Sequence, residues 1–334
     1  MSSHKKGGSI ASLLCLVVVL AIAGWVFWQR QYLLDQIQVW QFTPSEEVSA
    51  LADRTTMNDR GRFLYYVAHP SLETSETFNT HCERQEGSSP ILGCYRNGRI
   101  YVYDITDERL DGIKEVTAAH EMLHVAYERL SDSEKTRINA LLEAEYKNHA
   151  TEALQERMEY YARTQPGQRT NELHSIIGTE IADISDELEA YYKTYFTDRP
   201  TIAKLFAGYN AKFEEVKNEA NALRAELESL EASINQQTEA YERALQVLNR
   251  DITAFNERAE AGEFTNQSEF DAARAQLVAR AQSIETQRST IEGNINDYNT
   301  KQKLHNSLVD ESNSLQESID SELTPAPQLQ GATQ

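Results

Sequence analysis

The chain has 334 residues, with 52 acidic side chains against 32 lysines and arginines, for a formal net charge of −20. Phosphate backbones require a positive face, so nucleic acid is excluded as the main partner. The length suits two or three structural units, with the hydrophobic residues concentrated in one N-terminal block and in C-terminal helical stripes.

From Ser9 to Trp28 the sequence carries no charge, about 20 residues and enough for one helix to cross a bilayer. Lys5 and Lys6 precede this run, and Trp25 and Trp28 suit the far interface. The positive-inside rule therefore predicts a single-pass cell-membrane protein, N-terminus cytoplasmic, with everything after Arg30 extracytoplasmic. The rival reading is a cleaved signal sequence, with Ala21-Ile22-Ala23 as its cleavage signature. Cys15 follows Leu14 rather than a small residue, which argues for a lipid-facing thiol over a lipoprotein attachment site. Outside the membrane, Cys82 and Cys94 are expected to form a disulfide around a Gly-Ser-Ser-Pro loop.

Residues 1–30 thus read as tip and anchor, and residues 31–60 as a polar, mainly helical stalk. The stalk is interrupted at Thr43-Pro44-Ser45, with a new helix start at Ser45-Glu46-Glu47. Arg62 to Ala68 fits a helix end or a short strand equally well. Ile91 to Tyr95 and Ile100 to Asp104 flank Arg96-Asn97-Gly98-Arg99, a β-hairpin signature. A helix is predicted from near Asp111-Gly112 to Leu130, carrying His120-Glu121-Met122-Leu123-His124. One turn apart on a helix, His120 and His124 share a face and can address one ion. This HExxH spacing is the pattern in which two histidines hold zinc and the glutamate, here Glu121, serves as general base.

Ser131-Asp132-Ser133-Glu134 is a capping box that starts another helix, and few breakers follow through residue 163. After Gln165-Pro166-Gly167-Gln168, a helix is predicted from about Thr170 to Tyr195, closing at Thr197-Asp198-Arg199-Pro200. Residues 61–200 are therefore read as the globular domain. Beyond it, Phe213, Val216, Ala220, Leu223, Leu227, Leu230 and Ile234 follow a heptad seam, continued through Tyr241, Leu245, Leu248, Ile252 and Phe255. Ala261 to Ser268 interrupts it, and Leu277, Ile284, Ile291 and Tyr298 repeat at sevens, with Leu308, Leu315 and Ile319 after them. Two runs of similar length around one turn predict an antiparallel helical hairpin over residues 201–322. The heptads alone leave open an intermolecular bundle, so a coiled-coil partner or self-association stays in view. Residues 210–320 hold 21 acids against 11 bases, and the tail 323–334, with Pro325 and Pro327, is expected to be disordered.

A catalytic zinc site needs a third protein ligand. The metzincin continuation, a glycine and third histidine soon after His124, is absent; Ala126-Tyr127-Glu128-Arg129 stand there instead. Downstream, Thr170-Asn171-Glu172-Leu173-His174-Ser175 opens the later helix. His120-Glu121-x-x-His124 followed by Asn171-Glu172-x-x-Ser175 resembles the gluzincin metallopeptidases, particularly their small minigluzincin forms, over about residues 90–195. The resemblance implies a zinc cofactor, Glu172 as third ligand and Ser175 as the small residue where the two helices pack. It also implies a zincin-like domain whose edge strand, ahead of the metal helix, helps to hold an extended substrate. Many gluzincins carry an acid four residues after the ligand glutamate, where this chain has Ile176. Glu180 and His174 therefore remain rival ligands, and His174 or one of Tyr160 and Tyr161 remains a candidate donor to a developing oxyanion.

The fold class expected is α+β, mainly α: a zincin-like domain with a small β-hairpin or sheet, followed by the long helical hairpin. The function expected is a membrane-anchored extracytoplasmic zinc metallopeptidase acting on protein or peptide substrates. The alternative is an envelope scaffold that works through its coiled coil and keeps a non-catalytic zinc domain. A third reading is zinc-dependent cleavage of an envelope amide outside proteins.

Overall fold

The computed structural model describes residues 7–84 and 90–323, with side chains from Leu13 onward. The chain is mostly helical, with one small sheet and two long C-terminal helices, an α+β architecture dominated by α. Its elements divide into two compact units. One comprises the residues up to Lys212 together with those from Leu315 onward, and the other is Phe213–Ser314.

The first unit begins with α1 (Gly7–Trp28) and α2 (Arg30–Gln41). Among the described residues no single helix is long and apolar enough to cross a membrane. Leu13–Trp28 and Arg30–Gln41, bent by 66°, meet that test only as a pair. Next come α3 (Glu46–Arg54) and α4 (Asp59–Val67). The Ser45 hydroxyl accepts from the Val48 N–H at 3.2 Å, starting α3 where the sequence predicts a fresh helix. Asn58 caps α4, which settles residues 62–67 as helix. Residues 31–60 are not a free-standing stalk: Val48, Leu51, Ala52 and Met57 are buried in the same core as the metal helix. The polarity that suggested a stalk belongs instead to the outer faces of short packed helices, each of which buries only a stripe.

Strands β1 (Ser71–Glu73), β2 (Gly93–Arg96) and β3 (Arg99–Tyr103) form a sheet in the order β1-β3-β2, with α5 (Ser75–His81) between the first two in sequence. β2 and β3 are the antiparallel hairpin expected from Asn97-Gly98, whose φ angles of 54° and 76° suit a two-residue turn with both positions left-handed. β1 runs parallel to β3. It is too short, at three residues, to leave a periodic signal. A disulfide joins Cys82 to Cys94 and so fastens the end of α5 to β2. Residues 85–89, including most of the Gly-Ser-Ser-Pro loop, lie outside the described residues, as do Lys5, Lys6 and the tail from Thr324.

The metal-motif helix α6 (Ile113–Glu128) is central. Met122, Leu123 and Val125 are fully enclosed, as are Ala118 and Ala119. The polypeptide then forms α7 (Asp132–His149), α8 (Glu152–Thr164), α9 (Arg169–Glu180) and α10 (Asp186–Tyr192). The Ser131–Glu134 capping box is present at the start of α7. The stretch with few breakers is nevertheless divided at Ala150, because the Thr151 hydroxyl accepts from the Leu154 N–H and starts α8. The single helix predicted for residues 170–195 is likewise two. Arg199, fully buried, donates to the carbonyls of Ile181 at 2.6 Å and Ala182 at 2.7 Å, satisfying the end of α9 from outside the helix.

Helix α9 lies close against α6 because its facing residues are small. A Cβ on Gly178 would stand 2.5 Å from Leu123 Cδ1 and 2.8 Å from Tyr192 Cε1. One turn earlier, Ser175 is fully buried on the same side. The expected domain limit at residue 200 is crossed by α11 (Pro200–Glu260), since Ile202 and Ala203 are buried in the core of this unit. The end of α12 (Gln267–Ile319) belongs to this unit as well. Asn79 Nδ2 donates to the Ser321 carbonyl at 2.6 Å, Ser318 Oγ donates to Asp107 at 2.7 Å, and Arg84 pairs with Asp320.

The second unit is an antiparallel hairpin formed by the remainder of α11 and α12. Cross-helix pairs run in opposite chain directions: Lys301 with Glu226 at 2.8 Å, Asn294 with Gln237 at 2.8 Å, and Arg280 with Asp251. The heptad residues Val216, Leu227, Leu248, Ile284, Ile291 and Leu308 are buried, whereas Ile252 is partly exposed. Phe255, Phe264 and Phe270 cluster at the turn, with ring centroids 5.1–5.3 Å apart.

Candidate metal centre

On α6, His120 and His124 project from one face, their ring centroids 4.9 Å apart and nearly perpendicular. α9 brings Glu172 opposite them. Its Oε2 lies 3.7 Å from His120 Nε2 and its Oε1 lies 3.9 Å from His124 Nε2. One ligand atom from each of the three residues lies within 4.8 Å of the others, so this group could hold a metal ion. With zinc–ligand bonds of about 2.0–2.1 Å, a tetrahedral ion sets its ligand atoms about 3.3 Å apart, so contraction by about half an ångström accommodates one. Glu172 Oε2 is also buried without a hydrogen-bond partner. A carboxylate oxygen stranded in this way is costly unless a cation or proton reaches it.

The tautomer of His124 is set by α9. Asn171 Nδ2 donates to Gln168 Oε1 at 3.1 Å, which turns Asn171 Oδ1 toward His124 Nδ1 at 3.0 Å. An amide oxygen only accepts, so Nδ1 carries the proton and Nε2 keeps its lone pair for the ion. Ser175 Oγ also lies 3.3 Å from Nδ1, making this residue an orienting contact as well as a packing one. The i, i+4 spacing of Asn171 and Ser175 around Glu172 is the sequence signal for this support.

Electrostatically the three ligating groups lean on one another. Burial opposes protonation of His120, but the Glu172 carboxylate 3.7 Å away, with Glu121 and Glu180 nearby, outweighs burial and raises its pKa. Burial pushes the Glu172 carboxyl up, yet the two facing imidazoles, His120 first, outweigh it and hold that carboxyl below its ordinary value. Glu121, on the neighbouring flank of α6, is buried, and burial raises its pKa against the pull of His124 and His120. The Tyr95 backbone N–H of β2 favours the ionised form of Glu121. β2 comes this close because position 93 is glycine: a Cβ there would meet Thr117 Cγ2 at 2.6 Å and Glu121 Oε1 at 3.1 Å.

The rival ligands are engaged elsewhere. Glu180 lies two turns beyond Glu172 and pairs with Arg157 at 2.6 Å. His174 stands about 200° around α9 from Glu172, facing the core. There its Nε2 bonds the Tyr191 hydroxyl at 2.8 Å, and burial pushes its pKa down to about 3. It is therefore a neutral core histidine and stands outside the candidate metal group. Of the adjacent tyrosines, Tyr161 senses the centre: burial and then the Glu172 carboxylate raise its pKa. Arg157 and Gly93, which shape the surroundings of the centre, carry no sequence signal that separates them from ordinary helix and hairpin residues.

No family model, curated protein or solved structure matches this chain. The geometry of the site therefore carries the functional argument.

Proposed function

We propose that the protein is a zinc metallopeptidase of gluzincin type, held at the membrane by α1 with its globular unit outside. The observation that carries this reading is the largely buried His120, His124 and Glu172 group with its unpartnered carboxylate oxygen, beside a second buried acid, Glu121. Two imidazoles and one carboxylate are the donor set of a catalytic zinc site that keeps a position open. When bound, zinc supplies the Lewis acid that makes water nucleophilic near neutral pH and polarises a carbonyl.

The residues of this chain perform the remainder. His120, His124 and Glu172 hold the ion, and Asn171 and Ser175 hold His124 in the tautomer that can ligate. The Glu121 carboxylate takes the proton of the attacking water and returns it to the leaving amine. Its raised pKa suits that exchange better than a solvent-exposed carboxylate would. The Tyr161 hydroxyl, near Glu172 and always protonated at working pH, is the donor available to a developing oxyanion. β2 is one of the two edge strands of the sheet, pairing among the described residues with β3 alone, and offers an extended peptide a place to add as a further strand.

The test is Glu121→Gln in the full chain. It should bind zinc at one equivalent, as the unsubstituted protein is also expected to, and cleave peptides from a degenerate library at a rate reduced at least 10²-fold. Failure of the wild-type protein to bind zinc, or unchanged cleavage by Glu121→Gln, defeats the peptidase reading. The scaffold reading draws on one observation of its own: Val247, Val278 and Leu304 on the hairpin unit are 42%, 48% and 54% exposed. It predicts that partner capture by the hairpin survives replacement of both His120 and His124.

A further inference from the structure

Helix α2 carries its polarity inside out. Its one acid, Asp35, is 5% exposed and faces inward. Arg129 grips this carboxylate through Nε and Nη2, both at 2.9 Å, and Gln31 Nε2 donates to it at 2.9 Å. On the same side His69 Nε2 contacts the Gln38 carbonyl at 2.9 Å, and the Tyr32 ring lies 5.9 Å from Phe63. With 100° between successive residues, the side opposite Asp35 presents Leu33, Leu34, Ile37 and Trp40. Leu34, Ile37 and Trp40 are 54%, 44% and 80% exposed. A helix bordered by water would be expected to show the reverse arrangement.

We infer that this outer face of α2 lies in the boundary between headgroups and acyl chains of a lipid bilayer, beside the point where α1 enters it. The inference rests on reading α1 as a membrane anchor and is independent of the peptidase reading. Continuity names the occupant. Only Gln29 separates α2 from α1, whose described apolar side chains are exposed as far as Phe27 at 72% and Trp28 at 79%. One lipid surface covers both helices, whereas a protein partner on α2 would leave α1 needing a second cover. The bend agrees: with α1 along the membrane normal, a 66° angle sets α2 at 90 − 66 = 24° from the membrane plane. The ordinary helix tilt of about 20° is enough to bring it nearly flat. Trp40 and Trp28 then sit where amphipathic aromatic rings are favoured. Arg30, 5.3 Å from the Phe27 ring centroid, falls at the level of the lipid phosphates.

The consequence reaches the metal centre. Arg129 is the C-terminal cap of α6, five residues beyond His124, or about 7.5 Å along the helix axis. Through Asp35 and Arg129, the lipid-bound helix braces the end of the helix that carries both imidazoles.

Bromine quenching in the full-length chain tests this. Two variants are reconstituted in phosphatidylcholine vesicles containing some phosphatidylglycerol: Trp25→Phe with Trp28→Phe, leaving Trp40, and Trp25→Phe with Trp40→Phe, leaving Trp28. Lipids brominated near the top of the acyl chain should lower Trp40 emission about twofold or more and vesicles should shield it from aqueous iodide. If Trp28 is quenched by bromolipid while Trp40 remains open to iodide and blind to bromine, the anchor stands and the inference is overturned. A Trp40 shielded from iodide yet blind to bromine means that protein or a second copy covers α2, which overturns it equally. If neither residue is quenched, the anchor reading fails and this inference fails with it, while zinc binding and cleavage remain to be judged separately.

Discussion

Replacing Gly93 by alanine tests how closely β2 is pressed against the metal helix. The added Cβ would stand 2.6 Å from Thr117 Cγ2, about 0.8 Å inside the 3.4 Å at which ordinary contact begins, and 3.1 Å from both Cγ and Oε1 of Glu121. Thr117 cannot simply rotate away, because its Oγ1 donates to the Ile113 carbonyl at 2.8 Å. β2 must therefore lift from α6 by close to an ångström, against its hairpin pairing with β3. Overpacking of this kind costs about 1–3 kcal/mol, and a displacement near 1 Å at a general base costs about 10²-fold in rate. His120, His124 and Glu172 are not among the groups nearest the added Cβ, so zinc stoichiometry should be unchanged. Denaturant unfolding, zinc content and peptide-library cleavage measure the three effects. Adding Thr117→Ser removes only the clashing methyl and should recover most of the stability. A Gly93→Ala protein with the stability and cleavage rate of the parent would refute the close approach of β2 to Glu121.

Three further outcomes are expected. Asn171→Ala removes the acceptor that fixes the His124 tautomer and should weaken zinc binding about 10–100-fold, measured by competition with a chromophoric chelator. Replacing Cys82 and Cys94 together by serine opens a link spanning 12 positions and should cost about 3 kcal/mol in denaturant unfolding, an effect reproduced by reducing the parent protein. His174 is held neutral down to a pKa of about 3, whereas the unfolded chain protonates it near the ordinary histidine value of 6.5. The unfolded state therefore binds more protons between those values, so the stability is fully present above pH 6.5 and falls as the pH drops. The difference in stability between the parent and His174→Phe should change by about 1.4 kcal/mol per pH unit below that point.

Local chemistry was readable wherever one element carried the whole signal. The His120–His124 spacing, the Asn97-Gly98 turn, the Ser131–Glu134 capping box and the heptads of α11 and α12 all depend on backbone periodicity or turn geometry within a few residues. Where a distant group intervenes, the reading of the residues alone was incomplete. Nothing near Ile181 announces that Arg199 will fold back and take the carbonyls that end α9, and nothing near Ser321 announces Asn79. Residues 31–60 looked like a stalk because each short helix buries a narrow stripe, and the partner of that stripe is α6, far along the chain.

The same division runs through the candidate centre. The sequence by itself determined that two imidazoles share a helical face with Glu121 on the flank, because a helix repeats every 3.6 residues wherever it packs. It left Glu172, Glu180 and His174 as competing third groups, since all three stand on one later helix. Only the tertiary structure distributed them: α9 turns Glu172 toward the histidines, Arg157 occupies Glu180, and Tyr191 receives His174 in the core. Tertiary packing likewise turned Asp35 inward and left Leu34, Ile37 and Trp40 outside, since the Arg129 that draws the carboxylate inward is supplied by the end of α6. Spacing along one element is a property of the backbone, whereas the partner each side chain meets is settled by which faces other elements bring against it.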